Sequence, residues 1–231
     1  MVIVMENKKC SIFAAGTHYS FEKPLDNSLI IAADGGCDYL LSHNIVPDYA
    51  IGDFDSGKCP DGIPAVKLNP VKDKTDTFEA VELGIENGCS EFHIFGATGG
   101  RTAHTSANIQ TLAMLAEKGM TGYIYGDNEV FVVIDGGAIK FSENSKGYIS
   151  IFSLDTECKG VCENGLKYSL DNYNLKNTYP VGVSNEFTGN EAEISVKIGK
   201  ILIIFSFDAE VKSVINKMRW WLISSLFIKV H

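Results

Sequence analysis

Carboxylates are the first residues in this chain whose types and spacing suggest chemistry. Asp34 stands in Ala-Ala-Asp-Gly-Gly, Asp53 and Asp55 in Gly-Asp-Phe-Asp-Ser, and Asp73 and Asp76 in Asp-Lys-Thr-Asp-Thr. If Asp53-Phe54-Asp55 is extended, its two carboxylates point to the same side, because side chains alternate along a strand. Two anions so close repel unless a cation joins them. The donors are oxygens, with no His or Cys among them. That suits Mg2+, which keeps several waters and bridges to phosphate. Any one of these Asp residues is equally compatible with a helix cap or a turn. Five of them at the mouths of successive strands point instead to a metal-assisted site.

A second group is Gly96-Ala97-Thr98-Gly99-Gly100-Arg101. A glycine-rich turn between a strand and a helix offers backbone N–H groups to an anion, and the helix N-terminus favours negative charge. Arg101 adds a planar fork for phosphate oxygens. The pattern is neither the GxxxxGK[ST] phosphate loop nor GxGxxG. His104 follows on the same helix turn, as a structural hydrogen bonder or a functional one. Lys74, between Asp73 and Asp76, is either a phosphate ligand or a solvated surface charge. No Ser-His-Asp or Cys-His set can be assembled from the spacing.

The elements that must hold these residues can be read from the apolar pattern. Short β-like runs at 11–15, 29–33, 49–51, 65–68, 91–95 and 123–125 alternate with helical stretches at 37–43, 76–87 and 105–118. Strands alternating with helices imply βαβ units and a mainly parallel sheet. Asp34, Asp53, Asp55, Gly99, Gly100 and Arg101 all come just after a strand, and in open α/β sheets the carboxyl ends of the strands form the ligand crevice. Beyond about residue 127 the period changes to two. Alternating runs at 129–134, 138–141, 148–154, 191–198 and 200–207 are separated by turn signals such as Gly136-Gly137 and Asn164-Gly165. That pattern predicts an antiparallel β domain, a sandwich or a flattened barrel. The expected organisation is an α/β domain over 1–133 and a β-sandwich domain over 134–231.

Composition narrows the partners. The chain has 231 residues, 45% hydrophobic and 21% charged, which excludes a disordered or fibrous protein. With 20 Lys+Arg against 29 Asp+Glu, the net charge is −9, so neither nucleic acid nor an anionic membrane is an expected partner. Six Cys without a CxxC pair read as free thiols in a reducing, cytoplasmic compartment. The N-terminal order of charge and apolar residues does not suit a secretory signal. The apolar C-terminal segment Met-Arg-Trp-Trp-Leu-Ile-Ser-Ser-Leu-Phe-Ile-Lys-Val-His is too short to span a bilayer. It reads as a last element packed on the body or on a neighbouring subunit, or as an interfacial anchor.

Taken in order, AADGG, GDFDS, DKTDT with Glu79, and GATGGR-x-x-His104 in an α/β half, followed by GLKYSL at 165–170 and GVSNEF at 182–187 in a β half, resemble the thiamine pyrophosphokinase family. The resemblance covers about residues 10–207. It implies transfer of a pyrophosphoryl group from ATP to the hydroxyl of thiamine, giving thiamine diphosphate and AMP. It places ATP on Asp34, Gly35, Lys74, Thr98, Gly99, Gly100, Arg101 and His104, and Mg2+ on Asp53, Asp55, Asp73 and Asp76. Those four Asp and Arg101 carry catalysis, and Ser184, Asn185 and Phe187 lie near thiamine. It also implies a homodimer with the active site at the subunit interface, using the α/β half of one subunit and the β half of the other. One position departs from the family pattern GGR-x-Asp-His: residue 103 is Ala. Two other readings remain at this point. One is a Mg2+-dependent DxD transferase acting on a nucleotide-sugar. The other is a nucleotide- or thiamine-binding homologue without turnover.

Overall fold

The computed structural model describes residues 8–19, 23–54, 62–68 and 73–216; Asp55, Cys59 and the segment 217–231 lie outside them. The chain divides into two compact units, one of Met1–Thr111 with Gly122–Asp127 and one of Leu112–Thr121 with Asn128–His231.

Parallel strands covered on both faces need continuous apolar runs, and the first unit supplies them. Its elements are β1 (Lys9–Phe13), β2 (Leu29–Ala33), α1 (Gly36–Ser42), β3 (Tyr49–Gly52), β4 (Ala65–Lys67), α2 (Asp76–Glu86), β5 (Glu91–Phe95), the first part of α3 (Thr102–Glu117), whose residues from Leu112 on fall in the second unit, and β6 (Thr121–Tyr125) from Gly122 on. The strands lie in the order β6-β5-β1-β2-β3-β4. β5, β1, β2, β3 and β4 are mutually parallel. The chain runs outward from β1 to β4, then returns to the other side of β1 as β5. That reversal makes the gap between β1 and β5 the switch point of the sheet, where ligands of open α/β sheets sit. Phe13, Ala32, Leu40, Ala50 and Phe95 form a buried cluster between α1 and the sheet. Helix α2 begins where its cap places it, because the Thr75 side chain accepts a hydrogen bond from Phe78 N–H at 3.2 Å. Asp76 and Glu79 add favourable charge to its first turn. Helix α3 starts at Thr102, one turn before the expected residue 105, so Arg101 stands immediately ahead of it.

The second unit is antiparallel. Its strands are β7 (Glu129–Asp135), β8 (Ala138–Phe141), β9 (Tyr148–Ser153), β10 (Glu157–Asn164), β11 (Leu170–Lys176), β12 (Asn185–Glu186), β13 (Ala192–Ser195), β14 (Lys200–Ser206) and β15 (Val211–Ile215). They pair as β12-β9-β14-β7 and as β11-β10-β13-β8-β15, all antiparallel. In β9 the alternation of buried and less buried residues follows the period of two. Phe141 of β8 meets Phe205 of β14 edge-on with ring centres 5.1 Å apart, closing the core between the layers. Strands β10, β11 and β15 were not expected from the sequence. β10 carries Gly160 in the left-handed region (φ 67°), where its register with β11 shifts, and β11 and β15, at the edges of their sheet, are largely polar or exposed.

Candidate active site

At the switch point the chain turns tightly where β1 and β5 end. Gly16 N–H donates to the Gly96 carbonyl at 2.6 Å and Thr17 N–H to the Thr98 carbonyl at 2.9 Å. A side chain at residue 16 would collide with both acceptors, since its Cβ would fall 2.3 Å from the Gly96 oxygen and 2.6 Å from that of Thr98. Glycine is therefore required there by close backbone approach. Gly99 takes the left-handed conformation (φ 75°). On the helix side, buried Asn108 donates from Nδ2 to the Ala97 carbonyl at 2.7 Å. The glycine turn is thus held from both flanks before any ligand arrives.

This framework surrounds a cavity of about 330 Å³. Its wall brings together Asp34 after β2, Asp76 at the start of α2, Thr98 and Gly100 of the turn, and Arg101 and His104 of α3. Six of the residues singled out by sequence thus meet in one place. Asp34 stands in the left-handed region (φ 49°), with its N–H held by the Ile51 carbonyl at 2.8 Å. Such a conformation costs energy in a non-glycine residue and is concentrated at functional sites. Gly35 and Gly99 neighbour the cavity along the chain without lining it. Asp53 follows β3 on the Asp34 side: Gly52 packs on Asp34, whose Cα lies 3.4 Å from the Cβ position at residue 52. Asp53 and Asp73 do not line the cavity. Lys74 does not line it either. Its ammonium pairs with Glu82 at 2.5 Å and sits 5.3 Å from the centre of the Phe78 ring. The Glu82 carboxylate, itself partly exposed, raises the Lys74 pKa.

Among the described residues no three His, Cys, Asp or Glu side chains lie close enough to hold a metal ion by themselves. The donor set is still suited to Mg2+. Two carboxylates, Asp34 and Asp76, and the Thr75 and Thr77 positions line the same space, and Mg2+ is usually bound through one or two carboxylates together with substrate phosphates and waters. None of the five described cysteines, Cys10, Cys37, Cys89, Cys158 and Cys162, is in a disulfide.

In the second unit the three residues placed near thiamine behave differently from one another. Ser184 is exposed and left-handed (φ 56°), with its N–H donated to Ser150 Oγ at 2.9 Å. Asn185 is 2% exposed and turned inward. Its Oδ1 accepts from Tyr168 N–H at 3.0 Å and from Glu186 N–H at 2.9 Å, while its Nδ2 donates to the Tyr168 carbonyl at 2.7 Å. Phe187 packs edge-on against Phe141 at 5.1 Å. Two exposed aromatic rings stand beside this segment: Tyr148, paired with Glu186 and 61% exposed, and Tyr168, 62% exposed, with the Lys167 ammonium 5.6 Å from its ring centre. Sequence reasoning passed over Tyr168, although it lies within the quoted GLKYSL. The signal available there was an aromatic residue between two polar ones, at a position where burial gives no reason for a ring. Asn108 and Gly16 were also missed. Asn108 carried the weak signal of a polar residue one turn beyond His104, while the Gly16 contact is long-range and left no local trace.

Residues 21–124 match the family model described as thiamin pyrophosphokinase, catalytic domain, and residues 138–201 that described as thiamin pyrophosphokinase, vitamin B1 binding domain. Together they take in more than two thirds of the chain. Thiamine pyrophosphokinase of Bacillus subtilis (strain 168) is 28% identical over 191 residues, covering 79% of this chain and 89% of that protein. The crystal structure of thiamine pyrophosphokinase from Bacillus subtilis superposes with a TM-score of 0.78 at 25% identity, over 87% of this chain and 100% of that one. Yeast thiamin pyrophosphokinase shares the fold, with a TM-score of 0.69 at 18% identity over 90% of this chain and 88% of that one.

Proposed function

The chain belongs to the thiamin pyrophosphokinase family, and from that premise we propose how its residues carry the reaction of a thiamine diphosphokinase, which transfers pyrophosphate from ATP to thiamine. The observation that carries the reading is the cavity at the β1/β5 switch point, where a rigid glycine turn, Arg101 and the carboxylates of Asp34 and Asp76 share one space. The thiamine hydroxyl oxygen attacks the β-phosphorus of ATP. The bond from that phosphorus to the α,β-bridging oxygen breaks, and AMP leaves. The hydroxyl proton passes to a nearby carboxylate or to water. Such a transfer depends on placement and charge neutralisation more than on covalent help. Amides of 98–100 and the start of α3 hold phosphate oxygens, Arg101 offsets the charge of the transferred group, and His104 borders the same space.

Mg2+ is the cation this donor set suits. Asp34 and Asp76 would hold it, with Asp53 and Asp73 contributing from the neighbouring loops and Asp55 joining them on the sequence motif alone, and when bound it neutralises phosphate charge. Lys74 serves from the rim, after exchanging Glu82 for a phosphate. Thiamine lies on the second unit, where the exposed ring of Tyr168 offers the cationic heterocycle the face away from Lys167 and Ser184 offers a hydroxyl. Phe187 supports that surface from its place on Phe141, and Asn185 fixes the backbone beneath it. The functional halves are 1–133 for ATP and 134–231 for thiamine. The protein works in the cytoplasm as a homodimer, the ATP half of one subunit facing the thiamine half of the other. Among the described residues no helix is long and apolar enough to cross a membrane.

The nucleotide-sugar reading needed only Gly-Asp-Phe-Asp-Ser and the α/β half and left residues 182–187 without a role, and the family match sets it aside. The test is incubation with Mg2+-ATP and thiamine followed by separation of products. AMP and thiamine diphosphate in equal amounts are expected. ADP with thiamine monophosphate, or no product at all, contradicts the assignment.

A further inference from the structure

Glu163 sits in β10 between Leu170 of β11 and Ile194 of β13, inside the second sheet. It is 1% exposed. A carboxyl group so placed normally has a cationic partner or several donors. The hydrogen-bond partner here is neutral: Asn185 Nδ2, 3.5 Å from Oε1. On the other side, Oε2 lies 3.5 Å from the Cβ position at Gly182, a point also crowded by Ile151. Lys159 and Lys167, the cations nearest in sequence, pair with Glu157 at 4.0 Å and with Glu186 at 2.7 Å. Burial without a cation pushes the Glu163 carboxyl up to about 7, against a smaller opposing effect of Asn185. The fold keeps a carboxyl group beneath segment 182–186 with no role in packing that an apolar side chain could not fill.

What it touches gives it one. The Asn185 amide links two stretches of backbone, through Tyr168 N–H and C=O on one and Glu186 N–H on the other. Its oxygen accepts twice and its nitrogen donates to Tyr168, which leaves the second amide hydrogen for Glu163. An amide turned the other way would set its NH2 against two N–H donors. The backbone of Tyr168 and Glu186 sets the orientation of the Asn185 amide, the Glu163 carboxyl adds a fourth, longer contact to its remaining hydrogen, and Asn185 fixes Tyr168 relative to Ser184, the two exposed groups of the thiamine surface.

We propose that Glu163 is a positioning residue for thiamine, acting through Asn185 to hold the Tyr168 ring and the Ser184 hydroxyl at a set spacing without touching either substrate. This rests on the thiamine surface assigned above. The experiment compares wild type, E163Q and E163M for thiamine KM, ATP KM, kcat and melting temperature, and measures thiamine binding by calorimetry without ATP. E163Q keeps an acceptor for Asn185, and its thiamine KM should stay within about twofold of wild type. E163M has similar shape but no acceptor. Its thiamine KM and Kd should rise about fivefold to tenfold, the worth of one hydrogen bond, with ATP KM and kcat unchanged. E163D keeps the carboxyl but draws it back by one methylene, and should shift thiamine KM in the same direction if E163M does not fold. A purely structural residue would lower the melting temperature and leave KM alone. Unchanged thiamine KM in both E163M and E163D, or equal shifts in thiamine and ATP KM, overturns the proposal while leaving the enzyme assignment standing. Wild-type protein that neither binds thiamine nor forms product overturns both.

Discussion

Two glycines of the active site, each replaced by Ala, should fail in opposite ways. At Gly16 the new Cβ would stand 2.3 Å and 2.6 Å from two backbone oxygens. No side chain can swing aside there, so β1's exit and the glycine turn must separate. Two backbone hydrogen bonds, at 2.6 Å and 2.9 Å, stretch or break. At about 1 kcal/mol each, with about 1–3 kcal/mol for overpacking, the loss is about 3–5 kcal/mol. For a chain of this size that is a fall in melting temperature of about 10 °C. Activity should fall further, because the turn that presents its amides to phosphate is displaced. At Gly100 nothing lies within 4 Å of an added Cβ, and the residue lines the cavity. Gly100→Ala should melt within about 2 °C of wild type, since a compatible Gly→Ala change is worth only a few tenths of a kcal/mol to about 1. Its methyl occupies space assigned to phosphate, so ATP KM should rise about tenfold or more. Thermal melts and ATP saturation curves on the two variants decide the matter. A Gly16→Ala protein that melts and binds ATP like wild type would show that the clasp does not hold the turn. Unchanged ATP KM in Gly100→Ala would show that the open space is not the phosphate site.

Other perturbations test separate parts of the account. Ala103 is an exposed residue in the first turn of α3, a turn that carries no acidic residue. Ala103→Asp should stabilise the helix by about 0.3–1 kcal/mol and raise the rate about 10²- to 10⁴-fold if the carboxylate does acid–base or positioning work; equal rates would show that this chain does not need it. The raised Glu163 pKa favours the folded protein while the group is protonated, a contribution fully present below the ordinary value of 4.5 and lost as pH rises through about 7. Unfolding free energies at pH 5 and pH 8 should show wild type losing up to about 3 kcal/mol more than E163Q, and a pH-independent difference between them would refute it. Asp34→Asn and Asp76→Asn each remove a carboxylate from the cavity wall and should reduce turnover by about 10²-fold or more with melting temperatures nearly unchanged; turnover near wild type in both would remove them from the cation site.

The sequence was most readable where chemistry depends on local pattern. Runs such as Leu29–Ala33 and the Gly-rich stretch after Glu91–Phe95 announce strand ends, and Asp34, Asp76, Thr98, Gly100, Arg101 and His104 do meet in one cavity. Lys74 was ambiguous in the sequence, because the Glu82 that engages it lies two helical turns away on α2. The burial of Glu163 depends on pairings between β10, β11 and β13 and the inward turn of Asn185 on β9 and the Tyr168 backbone, and β10 itself, with Gly160 at its middle, did not read as a strand. Polar residues in such a segment look like a loop until their cross-strand partners are known. Gly16 and Asn108 belong to the same class: each is ordinary in its own neighbourhood and specific only through a backbone oxygen far along the chain.

The central claim is that ATP is held so that its β-phosphorus faces thiamine. The most direct measurement uses ATP labelled with 32P at the γ position in one reaction and at the α position in another, each with Mg2+ and thiamine. Transfer of the intact pyrophosphoryl group puts the γ label in thiamine diphosphate and leaves the α label in AMP. Finding the γ label in thiamine monophosphate, or in free phosphate with ADP, would contradict the account.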